Sequence, residues 1–205
     1  MKHKLLIIIV LVVYSINSHA QSMAGMDMSE NPKNVYLAMM DTMMTAMSKN
    51  PEAKTAGDYF LLQMIPHHQG ALDMAAYEIS HGKNFELKQL AKNIYIEQKN
   101  EIQLMRIWLK SASVDISTSF LYKKEVDDTM TAMMAAMPGE QSLDNSDRSF
   151  ALVMIPHHQA AIDMARVLLK YDKNKVLRAY AIQLISNQKN EIEQMKDILN
   201  KNYEN

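Results

Sequence analysis

The stretch Met64-Ile65-Pro66-His67-His68-Gln69 occurs a second time, unchanged, at residues 154–159. When residue 60 is set against residue 150, the alignment continues for fifty residues without a gap, and 23 of those fifty positions are identical. The stretch Gln98-Lys99-Asn100-Glu101-Ile102 likewise recurs at 188–192. An offset of ninety that holds over this length indicates an internal duplication, and this duplication decides the fold.

Each copy carries the start and stop signals of three helices. Asn31 and Pro32 mark the beginning of the first helix. Thr55 and Asp58 form a capping pattern before the second helix, and Gly82 marks its end. The predicted helices cover 32–49, 56–81 and 85–110 in the first copy, and 119–137, 145–171 and 175–202 in the second.

These helices predict an all-α fold. No segment alternates as a strand would, and the chain has only five Gly and five Pro for turns. We expect the four long helices to form one bundle, with the two shorter, methionine-rich helices packed against it or capping one end. Pro66 and Pro156 lie inside long helices, where a proline removes a backbone donor, so a kink is expected at both. Two separate three-helix domains are the alternative.

The amino terminus has the features of a secretory signal peptide. Lys2 and Lys4 precede a ten-residue apolar run, and Ser18 and Ala20 supply the small residues of a cleavage site. The run is about half as long as a bilayer crossing requires, and an uncleaved anchor is the alternative. The predicted organisation is a signal peptide at 1–20, a methionine-containing flexible tail at 21–32, and repeat units at 33–113 and 114–205 within one bundle domain. The expected location of the mature chain, cleaved near Ala20, is periplasmic or secreted.

Composition excludes several classes of function. The chain has no Cys, which removes disulfides, zinc ribbons and thiol catalysis. Its formal net charge of −1 provides no positive field for nucleic acid. We therefore expect no nucleic-acid partner, and no membrane association once the signal peptide is cleaved.

The third helix of each copy has polar residues in the middle of its apolar seam. Steps of four and three give the seam Leu87, Ala91, Ile94, Gln98, Glu101, Met105 and Leu109, and the second copy keeps Gln188 and Glu191 at the same places. A buried carboxylate is costly unless it has a partner. Either a partner compensates Glu101 and Glu191, or the seam rotates and leaves them at the rim, beside Lys99.

The second helix supplies candidate partners. Met64, His67 and His68 share one helical face with the small residues Ala71 and Ala75. Together with the second copy, four His, two Glu and several Met can converge in the interior. Imidazole, carboxylate and thioether are all metal donors. The alternative is a buried hydrogen-bond network in which the His and Glu satisfy each other.

Methionine accounts for 19 of the 205 residues. It forms a stripe on each short helix, and three more methionines lie in the polar tail. The stripes are Met40, Met43, Met44 and Met47, and Met130, Met133, Met134 and Met137; the tail methionines are Met23, Met26 and Met28. Thioethers are soft ligands suited to Cu(I), and they survive in an oxidising compartment where thiols form disulfides. Core packing is the usual alternative for such a stripe.

The repeated Met-Ile-Pro-His-His-Gln-x-Ala-x-Asp-Met-Ala block, followed by Gln-x-x-Glu-Ile-x-x-Met, resembles the domain of unknown function 305 family over roughly 33–202. The resemblance implies a ferritin-like four-helix bundle, here built from a duplicated three-helix unit with two additional short helices. Some members of the family are associated with periplasmic copper binding. The residues that match its motif positions are His67, His68, Glu101, His157, His158 and Glu191.

The function predicted from these observations is an exported, non-enzymatic protein that binds copper as Cu(I) for storage, buffering, delivery or resistance. Another transition metal is an alternative ion, and the expected partners are the metal ion and either a second copy or a copper-handling protein. The alternatives are a structural or interaction module and a ferritin-like metalloenzyme. A di-iron site needs Glu-x-x-His, but Met64 and Met154 stand three residues before His67 and His157. The candidate metal ligands are the four His, the two Glu, Met64, Met154 and the eight stripe methionines.

Overall fold

Six α-helices follow one another in the computed structural model, which describes residues 35–49, 53–110 and 120–203. They are α1 (Val35–Met47), α2 (Ala56–His81), α3 (Phe85–Lys110), α4 (Phe120–Ala135), α5 (Ser146–Tyr171) and α6 (Lys175–Tyr203). A short 3-10 helix, Glu140–Ser142, precedes α5, and no strand occurs in these ranges. The predicted all-α class is confirmed.

Local capping explains where the long helices begin. The Thr55 hydroxyl accepts a hydrogen bond of 2.9 Å from the backbone N–H of Asp58, as the capping pattern predicts. Asn145 caps α5 in the same way, through Oδ1 and the N–H of Arg148 at 3.0 Å. Several predicted features lie outside the described residues: the capping pair of α1, the signal peptide, the tail methionines and the boundary at 113/114.

Gly82 follows the last turn of α2 for a reason of packing. Its φ of −61° is open to any residue, so the left-handed conformation common after helices is not what selects glycine here. Instead, a side chain at this position would collide with the carboxyl group of Glu78. The second copy has Leu168 in place of Glu78 and tolerates Asp172 in place of the glycine.

The two copies pack on each other through their long helices. α2 packs mainly on α3 and α5 on α6, while α2 and α5 also pack against each other across the duplication. The short helices pack against the long ones, α1 mainly against α2 and α4 against α5. α2 and α5 continue without interruption past Pro66 and Pro156. The kinks and the ferritin-like character of the bundle stay predictions.

Small residues allow α2 and α5 to come close. Ala71, Ala75, Ala161 and Ala165 are all fully buried, and large side chains of the other helices complete the core around them. Burial of one Leu, Ile, Phe or Met side chain contributes about 1.5–3 kcal/mol.

In the part of the chain that the structure describes, no helix combines the length and apolarity that a membrane crossing requires.

Candidate metal centre

The four motif histidines meet in the interior, where α2 packs on α5. His67 and His68 come from α2, and His157 and His158 from α5; all four are fully buried. The rings of His67 and His157 are 3.8 Å apart between centroids, with 32° between their planes. The structure therefore brings together the paired histidines of both copies, as the shared helical face predicts.

Each copy joins one histidine to the glutamate of its third helix. The distance from His68 Nε2 to Glu101 Oε2 is 2.7 Å, and that from His158 Nε2 to Glu191 Oε2 is 2.8 Å. The two carboxylate side chains are only 13% and 10% exposed. The seam glutamates thus face the interior rather than the rim, and histidine is the partner that compensates them.

Several buried nitrogen atoms lack a hydrogen bond. Within the described ranges, Nδ1 of His68, His157 and His158 and both ring nitrogens of His67 have no partner. His157 Nε2 lies 3.0 Å from the backbone carbonyl oxygen of His67. An unsatisfied polar group costs about 1–3 kcal/mol when it is buried, so these lone pairs are available donors for a metal ion. The nitrogens therefore fit a soft or borderline cation.

The electrostatics favour neutral imidazole at two of the histidines. Burial lowers the pKa of His67 well below its ordinary value, and the nearby imidazoles of His157, His68 and His158 lower it further. Burial also lowers the pKa of His157, partly offset by its bond to the His67 carbonyl. Both rings are consequently neutral at pH 7, which is the form that binds metals.

Tyr180 lies beside His68 and Glu101, although the sequence pattern does not predict it there. Its hydroxyl donates to Glu101 Oε2 at 3.1 Å and lies 3.4 Å from His68 Nε2. Met105 Sδ is 3.9 Å from the same hydroxyl. Position 180 corresponds to Leu90 in the first copy, so a comparison of the copies gives no signal for it. The only sequence feature that points to Tyr180 is its aromatic side chain directly before Ala181, a residue of the apolar seam.

Most of the methionines serve the packing of the helices. Met64 and Met154 are fully buried on the histidine helices. Of the stripe residues, Met40, Met43, Met47, Met130 and Met133 are buried, Met44 and Met137 are half-buried, and Met134 is 38% exposed. Met43 packs directly on Gly70, three residues after His67. The buried stripe residues therefore fit the packing interpretation, whereas Met44 and Met134 keep access to solvent.

Imidazole and carboxylate groups alone do not complete a site. Among the residues that the structure describes, no group of three or more His, Asp or Glu is arranged to hold a metal ion. A metal in this interior would need further ligands, and the thioether sulfur of the buried methionines on the same helices is a donor type that suits a soft ion.

The sequence is similar to a known family of helical proteins. The profile described as "Domain of unknown function (DUF305)" matches residues 13–109 and 58–199, which together exceed half of the chain. No relative with a curated description matches this sequence.

Solved structures of similar proteins have the same helical fold. The silver-bound form of CopM is 31% identical, covers 74% of this chain and 99% of its own, and superimposes with a TM-score of 0.56. The Cu(I)-bound form of CopM is 32% identical, with 73% and 98% of the two chains covered and a TM-score of 0.54. A DUF305 protein from Streptomyces coelicolor, described as a candidate secreted protein, is 23% identical over 73% and 95%, with a TM-score of 0.57.

Proposed function

We propose that this chain, which belongs to the DUF305 family, is an exported protein that binds copper as Cu(I) in the interior of its helical bundle. The observation that carries the proposal is the set of buried imidazole nitrogens without partners, in a core rich in thioether sulfur. Its role is to hold and release the ion, as in storage, buffering, delivery or resistance, without chemical turnover.

The donor set favours a soft cation over a hard one. Thioether and neutral imidazole suit Cu(I) and Ag(I), whereas Mg²⁺ and Ca²⁺ require a shell of oxygen ligands. The two seam carboxylates are already bonded to histidine and are separated into different copies. The silver-bound and Cu(I)-bound forms of one similar protein, CopM, support a soft cation.

The direct test is a Ag(I) titration of the chain in which both glutamate-bonded histidines are replaced. His68→Gln with His158→Gln keeps an N–H that can donate to each glutamate but removes the imidazole lone pairs. We expect the stoichiometry of tightly bound Ag(I) to fall. His81→Gln serves as the matched control, because His81 is exposed at the end of α2. Equal binding by the double variant and the wild-type protein would contradict an interior histidine site.

A structural role for the His–Glu pairs is the second candidate. It is favoured by the hydrogen bonds that join each buried imidazole to a carboxylate without a metal. If this role is the whole function, the purified protein will retain no Cu(I) or Ag(I) after dialysis. The histidine variant will then be changed only in its stability.

Export is tested separately from metal binding. The chain carrying residues 1–20 should be processed near Ala20, and the mass of the exported protein should correspond to a first residue near Gln21. An exported protein that keeps the full apolar segment would support the anchor alternative instead.

A further inference from the structure

We propose that Glu101 and Glu191 are positioning residues, which hold His68 and His158 in one tautomer and leave Nδ1 of each ring as the metal-binding atom. This inference rests on the proposed function. It changes the role of the two glutamates from ligands to groups that orient the ligands. It also makes the two copies of the site unequal.

The tautomer follows from the acceptor on the other side of each ring. An ionised carboxylate can only accept, so the nitrogen that bonds to it must carry the proton. His68 Nε2 lies 2.7 Å from Glu101 and His158 Nε2 lies 2.8 Å from Glu191. With Nε2 carrying the proton, the neutral form of each ring has its lone pair on Nδ1, and this atom is buried and without a hydrogen-bond partner among the described residues.

His157 shows the same arrangement with a different acceptor. Its Nε2 donates to the backbone carbonyl of His67 at 3.0 Å, because a carbonyl oxygen cannot donate. Its Nδ1 is also buried and unpartnered within the described chain. Histidines that bind metals commonly donate their second N–H to a carboxylate or a backbone carbonyl, which fixes the ring. Three of the four motif histidines already have this arrangement.

Direct binding by the glutamates fits the contacts less well. A metal ion on Nε2 of His68 would replace the proton that Glu101 accepts, and the proton would move to Nδ1. That N–H would then be buried with no acceptor among the described residues, which is unfavourable. A metal ion on Nδ1 satisfies the buried lone pair and keeps the bond to Glu101.

Tyr180 makes the two copies different. Half-site 1 consists of His68, Glu101 and Tyr180, and the Tyr180 hydroxyl donates a second hydrogen bond to Glu101 at 3.1 Å. Half-site 2 consists of His158 and Glu191, and Leu90 stands at the aligned position without a hydroxyl. A carboxylate held by two donors fixes its histidine more firmly. We therefore infer tighter metal binding at half-site 1.

The test is nitrogen NMR of the mature full chain. In the metal-free protein, His68 and His158 should show a protonated Nε2 and an unprotonated Nδ1. After loading with Ag(I), the coupling between silver and nitrogen should appear on Nδ1 of both rings. Coupling on Nε2, or metal-free rings that are protonated on Nδ1, would overturn the assignment. If the wild-type protein bound no Ag(I) at all, the proposed function would be overturned instead. The tautomer of His68 and His158 in the metal-free protein would still show whether the glutamates orient the two rings.

Variants separate positioning from ligation. Glu101→Gln should weaken Ag(I) binding at half-site 1 by about 10–100-fold and keep the coupling on Nδ1 of His68. Tyr180→Phe should weaken half-site 1 alone, and the matched control Tyr95→Phe, on the half-exposed face of α3, should leave both half-sites unchanged. An unaltered affinity in Glu101→Gln, or equal affinities of the two half-sites in the wild-type protein, would contradict the proposal.

Discussion

Glu78 shows how a single buried residue makes the first copy different from the second. Its carboxyl group is fully buried, receives a hydrogen bond of 2.8 Å from the Tyr36 hydroxyl, and lies beside Asp147. Its pKa is raised to about 8: burial and the neighbouring Asp147 raise it, while the bond from Tyr36 and the charge of Lys88 partly oppose the increase. Because Tyr36 belongs to α1 and Asp147 to α5, this carboxyl group joins three helices.

The protonated form of Glu78 stabilises the fold. The folded chain keeps the proton up to about pH 8, whereas an ordinary glutamate loses it near pH 4.5. The stabilisation is therefore complete below pH 4.5 and is lost as the pH rises towards about 8, by up to about 1.4 kcal/mol per pH unit. We expect Glu78→Gln to remove this part of the slope when urea unfolding is measured at pH 5.5 and 8.5.

The matched control for that measurement is Glu86→Gln, at an exposed position in the first turn of α3. Its dependence of stability on pH should equal that of the wild-type protein. Should Glu78→Gln also keep the wild-type dependence, the proton on Glu78 would not contribute.

Sequence patterns predict contacts between individual side chains only where both copies carry the same residues. The pairing of histidine with the seam glutamate was predictable, because a repeated carboxylate in an apolar stripe needs a buried partner. Tyr180 and Glu78 were not predictable, since each occurs in one copy and its partner comes from a distant helix. Their positions depend on how helices meet, which local spacing does not encode.

The close contact between helices α1 and α2 depends on Gly70. A Cβ atom added there would lie 2.8 Å from Met43 Sδ and 3.1 Å from Met43 Cβ. The whole root of the methionine side chain therefore packs on the backbone of α2. The second copy has Ala160 at this position and Met133 in place of Met43.

Gly70→Ala should destabilise the protein although it improves helix propensity. In an open helical position the change would stabilise by about 1 kcal/mol. Here the new methyl group must displace α1, and overpacking of this kind costs about 1–3 kcal/mol. We expect a net loss of stability in urea unfolding, and recovery of most of it when Met43→Ala is combined with Gly70→Ala. A variant more stable than the wild-type protein would show that α1 does not pack closely at Gly70.

The stripe methionines can be divided by their exposure. Met44 and Met134 occupy the same place in the two copies and retain contact with solvent, unlike Met40 and Met130. Met44→Leu with Met134→Leu should cost less than about 1.5 kcal/mol per site, because Leu keeps the volume and apolarity of Met. If the stripes bind soft ions, the same variant should bind less Ag(I) by titration.

Met40 and Met130, which are buried, provide the control for the solvent-accessible methionines. Met40→Leu with Met130→Leu keeps volume and apolarity, so it should cost less than about 1.5 kcal/mol per site. Ag(I) stoichiometry that stays unchanged when all eight stripe methionines are replaced by Leu would assign the stripes to packing alone. Copper handling would then depend on the histidines with Met64 and Met154.

The helices themselves were largely predictable. Caps such as Thr55 and Asn145 act within one turn, so the limits of α2, α3 and α5 agree with the sequence prediction to within a residue. α4 ends at Ala135 rather than at Met137. Beyond Ala135, the backbone N–H groups of Ala136 and Met137 still donate hydrogen bonds to carbonyls of the preceding turn. Helix ends without a strong cap are set by packing and are therefore harder to predict.

The duplication explains the arrangement of the whole molecule. Aligned residues of the two copies contact each other: the ring of His67 lies against that of His157, with centroids 3.8 Å apart, and Asn187 donates to Glu97. A contact between residues at the same position of two copies is the mark of a two-fold relation between them. The gap-free repeat made this pairing of copies predictable, whereas the divergence of Tyr180 from Leu90 limits the symmetry at the site itself.

A crystal structure of the mature protein loaded with Ag(I), with silver located by its anomalous scattering, tests interior metal binding directly. We expect silver inside the bundle, bonded to Nδ1 of His68 and of His158 with methionine sulfur completing each site, and with Glu101 and Glu191 still bonded to Nε2. Silver found only at exposed methionines such as Met134, with the four histidines unaltered, would contradict this expectation.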